Sequence, residues 1–81
     1  EPGFDGRFRL LTQRLVGGKH LKMQLRPEAG GPELDAIAFN VDLDLWPNGS
    51  IQWVELAYRL DINEWRGNRS VQLLVSLLRP L

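Results

Sequence analysis

The sequence predicts an all-β domain, a five-stranded Greek-key barrel with a short helical connection between the third and fourth strands. Three observations lead there. Val54, Leu56, Tyr58, Leu60 and Ile62 alternate with Glu55, Ala57, Arg59, Asp61 and Asn63, and Val71, Leu73, Val75 and Leu77 alternate with Gln72, Leu74, Ser76 and Leu78. This is the period-2 pattern of half-buried strands. Clusters of Gly, Pro and Asn break the chain at four further places, as turns do. Finally, the chain has 81 residues and no cysteine, and a small core is best protected when the sheet closes and leaves no free edge.

Residues 1–6, with Pro2, Gly3 and Gly6, read as a linker leading into a domain that spans 7–81. Arg7 to Val16 is the first strand. Its alternation is imperfect around Leu10 and Leu11, which predicts a bulge or a bend between two halves of a sheet. Gly17-Gly18 forms a tight turn. His20 to Arg26 is the second strand, with Leu21, Met23 and Leu25 on one face and Lys22, Gln24 and Arg26 on the other.

The stretch from Pro27 to Pro32 is a turn-rich connection, and Glu33 to Asn40 is the third strand. Either of its faces, Leu34/Ala36/Ala38 or Asp35/Ile37/Phe39, suits the core. Val41 to Trp46 has room only for a short helix before Pro47-Asn48-Gly49-Ser50 stops it. Trp46 is read as a plug for the barrel bottom, and Phe39 and Trp53 as core residues. The last two strands form a hairpin around Gly67-Asn68, which tolerates the positive φ a two-residue turn requires. That turn pairs Ile62 with Leu73, Leu60 with Val75, Tyr58 with Leu77 and Trp65 with Ser70. Trp65 then falls on the outward, polar face. It either covers the hairpin or offers a stacking surface.

Three strands, a helical connection and a hairpin are the layout of the OB fold. The alternatives are another five-stranded barrel or a partly open sheet. In OB folds the ligand face centres on strands two and three, between the loops joining strands one to two and four to five. Here those places carry Lys19, Lys22, Arg26, Arg66 and Arg69. The net charge of zero conceals this. Arg7 to Arg26 holds six cations and no acid, Glu28 to Glu64 holds eight acids and one cation, and three arginines follow. A cationic track with an aromatic beside it is the chemistry of single-strand binding.

Catalysis is not expected from this chain. There is no cysteine, only one histidine (His20), and no phosphate loop leading into a helix. Asp42 and Asp44 alone do not make a closed oxygen site, so neither a metal nor another cofactor is expected here. No run approaches the ~20 apolar residues of a membrane span, and nothing reads as a signal peptide. A first residue other than methionine suggests a piece of a longer, cytoplasmic protein.

Three blocks, His20-Leu21-Lys22-Met23, Leu34 to Asn40 and Leu60 to Leu73, resemble the C-terminal OB domain of RecJ, the bacterial single-stranded-DNA-specific exonuclease. The resemblance runs from Phe4 to Pro80, and the ending Arg79-Pro80-Leu81 resembles proteobacterial members. It implies a parent enzyme of the DHH phosphoesterase type, degrading single strands 5′ to 3′ with manganese or magnesium for DNA repair and recombination. Its catalytic motifs are absent from this sequence. What the resemblance implies for the domain is strand holding beside a nuclease core in cis. Lys19, Lys22, Arg26, Arg66 and Arg69 are then assigned to phosphates. Asn63, Trp65 and Gln72 match the family block and either touch DNA or fix the hairpin. A second expectation is a site for the acidic tail of the single-stranded-DNA-binding protein, formed by Arg7, Arg9 or Arg14. A third is a structural brace for the core.

Overall fold

A computed structural model describes residues 3–81. Five strands, β1 (Phe4–Val16), β2 (His20–Pro27), β3 (Leu34–Ala38), β4 (Trp53–Trp65) and β5 (Asn68–Pro80), close into a barrel in the order β1-β2-β3-β5-β4. Neighbours are antiparallel except β3 and β5, which run parallel. This is the OB topology. The first strand starts at Phe4 rather than Arg7, so Phe4 to Gly6 belong to the barrel and pair with β4. Residues 1 and 2 of the expected linker lie outside the described residues.

The irregular alternation of β1 has the anticipated cause. The register with β2 shifts between Leu10 and Thr12, so one strand serves two neighbours: residues 4–9 pair with β4 and residues 8–16 with β2. Phe8 and Leu10 point inward before the bulge. After it, Gln13 points inward, opposite the buried Met23.

The core comprises Leu21, Met23 and Leu25 of β2, Val54 and Leu56 of β4, and Leu73 and Val75 of β5, packed with Phe8, Leu10 and Trp46. Burying each large side chain contributes roughly 1.5–3 kcal/mol. The third strand turns Ala36 and Ala38 inward. The small face goes inside because the leucines of β2 and the Trp46 indole already fill the barrel, and small barrels alternate small with large residues.

Four expectations are corrected. Val41 to Trp46 forms no helix. The Asp42 carbonyl accepts from Leu45 N at 3.1 Å and Trp46 N at 2.8 Å, which closes a single turn. Helix nucleation is unfavourable in so short a stretch, and Pro47 disfavours helical geometry at Trp46. Trp46 nevertheless plugs the barrel as expected.

The hairpin turn is Arg66-Gly67, not Gly67-Asn68. Both residues have positive φ, 51° and 79°, as a type I′ turn requires. The partners are therefore Ile62–Val71, Leu60–Leu73, Tyr58–Val75 and Trp65–Asn68. Moving the turn by one residue slides the register by two, so every side chain keeps its face. The third correction concerns Leu77, expected inside. The register shifts between Ala57 and Tyr58 and leaves Ser76 as the extra residue. The Ser76 hydroxyl donates to the Ala57 carbonyl at 3.2 Å. Leu77 then faces solvent, and Leu78 packs on the core instead.

Finally, neither Phe39 nor Trp53 is a core residue. Phe39 is 53% exposed and Trp53 36% exposed. Phe39 and the His20 ring meet edge to face, with centroids 5.1 Å apart. The outward parity of Trp53 follows from Val54, its neighbour, being fully buried.

Candidate nucleic-acid interface

The outward face of β1 and β2 gathers cations because strand pairing superimposes two basic segments of the sequence. Arg9 lies directly opposite Arg26, and Arg14 directly opposite Lys22. Between these pairs, Thr12 faces Gln24, with the hydroxyl donating to Oε1 at 3.4 Å. Like charges directly opposite one another destabilise a sheet. Two such pairs on one face therefore oppose folding and favour anion binding.

Of the predicted phosphate contacts, Lys19 and Lys22 belong to this face. Lys19 sits in the Gly17-Gly18-Lys19 turn, whose glycines both have positive φ. The turn is tied to the β3 exit. The Lys19 carbonyl accepts from Val41 N at 3.0 Å, and the His20 Nδ1 accepts from Asn40 N at 3.1 Å. Arg26 is also here, but its guanidinium donates to Glu33 Oε2 at 3.1 Å. Among the described residues Arg9, Arg14, Lys19 and Lys22 have no ion-pair partner.

A shallow cavity of about 330 Å³ opens beside this face, lined by Thr12, Gln13, Arg14, Lys22, Met23, Gln24 and Asp35. Gln13, one of its walls, is fixed by a two-point clamp. The Gln13 amide donates to the Asn48 carbonyl at 2.6 Å and accepts from Asn48 N at 2.9 Å. The connection into β4 is thereby held to β1.

Asn63, Trp65, Arg66 and Arg69 form a second, separate group. Beyond Tyr58 and Gln72, β4 and β5 pair only with each other. The hairpin thus projects from the barrel as a two-stranded ribbon over residues 62–65 and 68–71, roughly 13 Å at about 3.3 Å per residue. β3 and the connection 28–33 lie between its tip and the basic face. Trp65 is 69% exposed, and the Arg66 guanidinium lies 4.6 Å from its ring centroid. Arg69 donates to Glu64 at 2.9 Å. Asn63 stands opposite Ser70, and Gln72 stands between Asp61 and Asp35. Asp35 on β3 and Glu33 just before it make that edge acidic, so the cations centre on β1 and β2 rather than on β2 and β3.

Sequence reasoning placed Arg9 and Arg14 in a separate peptide site. Their signal was the acid-free run from Arg7 to Arg26, and only the β1–β2 register shows that they belong with Lys22 and Arg26. Arg7 goes elsewhere, to a carboxylate shared with Arg79. Glu55 takes Arg7 at 3.7 Å and accepts a hydrogen bond from Arg79. The Arg79 hydrogen bond and charge, with a smaller share from Arg7, hold the Glu55 carboxyl below its usual value against the opposing effect of desolvation.

The family described as the RecJ OB domain matches residues 1–76. The chain is 67% identical over 81 residues to the single-stranded-DNA-specific exonuclease RecJ of Dickeya dadantii, and 59% identical over 81 residues to that of Escherichia coli. Each match covers 100% of this chain and 14% of the relative. The crystal structure of Thermus thermophilus RecJ in complex with Mg²⁺ superposes with a TM-score of 0.67 at 23% identity, over 100% of this chain and 12% of that one. That likeness shows the same barrel. Since the family model and the relatives agree over nearly the whole length, the chain belongs to the RecJ OB domain family.

Proposed function

We propose that this domain holds single-stranded DNA for a RecJ-type 5′-to-3′ exonuclease of the bacterial cytoplasm, feeding the strand to a nuclease core outside this chain. One observation carries the proposal. Arg9–Arg26 and Arg14–Lys22 are like-charge pairs directly opposite on one face, an arrangement that phosphates would relieve. Lys19 extends that face at the β1–β2 turn. Arg66 and Arg69 would meet the strand at the ribbon tip, with Asn63 and Trp65 beside them. Among the described residues no three His, Asp or Glu side chains converge on a metal site. The manganese or magnesium of such a nuclease would therefore be held by the core.

The test is fluorescence anisotropy with a labelled oligothymidine over a range of salt concentrations. Phosphate contacts at Arg9, Arg14, Lys19, Lys22, Arg26, Arg66 and Arg69 would give a log–log slope of about −4.9, at about −0.7 per contact. A slope near zero would sink the proposal. Tight binding of an acidic, apolar tail peptide in its place would turn the basic face into a site for the single-stranded-DNA-binding protein.

A second reading is favoured by the ribbon. Leu60, Ile62 and Val71 share its inner face and are exposed, and a two-stranded ribbon is marginal in water without a covering surface. In the longer protein the nuclease core would cover it, making the ribbon a brace as well as a DNA contact. Replacing Ile62 by lysine would then impair the full-length protein while leaving the isolated barrel folded.

A further inference from the structure

The row of outward side chains that begins at Arg26 does not stop at β1. Arg9 is opposite Arg26 on one side and opposite Trp53 of β4 on the other. All three point away from the core, since Leu25, Phe8, Leu10 and Val54 beside them are buried. Trp53 is thus an exposed indole with Arg9 beside it and Arg26 one strand further along the same row. One outward row away, about 7 Å along the strands, Arg7, Glu55 and Arg79 stand side by side. There a single carboxylate faces two guanidiniums, so this neighbour also carries net positive charge. Glu33, on Arg26, is the other acid paired with these cations.

Neither core packing nor neutral surface chemistry calls for this combination. An outward indole that keeps 36% of its surface exposed leaves part of its ring free to meet a ligand, and the cations along its row repel one another. A single nucleic-acid strand suits both features. Its bases stack on an aromatic face whatever their identity, and its phosphates satisfy the surrounding arginines.

We infer that Trp53 is a base-stacking platform, with Arg9 and Arg26 holding the adjoining phosphates, so that the strand crosses β2 and β1 and continues onto β4. The inference rests on the proposed strand-holding function and gives that function a path. It also makes Trp53, rather than only Trp65 at the distant ribbon tip, the aromatic contact of the basic face.

A Trp65→Phe variant isolates the question, because Trp46 is buried and Trp53 becomes the sole exposed indole. Titrating it with unlabelled oligothymidine at low salt should quench Trp53 emission, with the affinity found by anisotropy. Trp53→Leu keeps apolar bulk and removes the π face. It should bind about tenfold more weakly per folded molecule, with the folded fraction read from its thermal melt, while Trp53→Phe should retain most of the affinity. Unchanged emission, or Trp53→Leu binding within about twofold of the parent, would overturn the inference. If Arg14→Ala with Lys22→Ala still weakens binding in that case, the strand-holding function survives without Trp53. No oligothymidine binding by the unmodified chain at low salt would end both.

Discussion

Arg66 occupies the left-handed region at a turn position where Asn or Gly is favoured. For a residue with a Cβ this conformation costs roughly 1–2 kcal/mol. The cation–π contact with Trp65 returns about 0.5–1 kcal/mol at an exposed site. Arg66→Asn should therefore leave the urea midpoint unchanged or raise it, and weaken oligothymidine binding by one phosphate contact. Glu55 gives a pH prediction. Its folded pKa lies below the unfolded value, so its contribution is present above the unfolded pKa and lost as pH falls through the folded one. Urea midpoints measured from pH 7 to pH 3 should fall less steeply in Glu55→Gln than in the parent.

At the scale of elements, the two long strands β4 and β5 divide into a barrel half and a ribbon half with opposite tolerance to substitution. Leu73 is buried in the barrel, whereas Ile62, on the same face of the same hairpin, is 52% exposed. Leu73→Ala should cost about 2–5 kcal/mol. Ile62→Thr should cost well under about 1 kcal/mol. Thermal melts of the two variants read the difference directly. Equal losses would mean that the ribbon is packed in solution.

Across the whole molecule, the barrel converts segregation along the sequence into segregation in space. The acid-free segments of β1 and β2 are neighbours, while the acids fall mainly on β3, β4 and the connections. Arg14→Ala with Lys22→Ala removes two cations that share a row, and should reduce the salt slope by about 1.4. The loss should be independent of base sequence, because phosphate contacts carry none. Anisotropy on oligothymidine and oligocytidine checks both points.

The sequence by itself determined the five strands, the facing of β2 and that of the hairpin up to Val75, because period-2 alternation and Gly/Pro breaks are local properties of the chain. It also determined which segments are basic, and the three blocks around His20, Leu34 and Leu60 carried the family. The tertiary structure decided what depends on partners far apart in the chain. The hairpin register was open because Arg66-Gly67 and Gly67-Asn68 give the same facing. The bulge at Ser76 left no local mark, whereas the outward facing of Trp53 was legible in its alternation with Val54 and only the size of its ring argued for the core. The union of Arg9 and Arg14 with Lys22 and Arg26 came only from the β1–β2 pairing, for a charge pattern becomes a surface only once strands lie side by side.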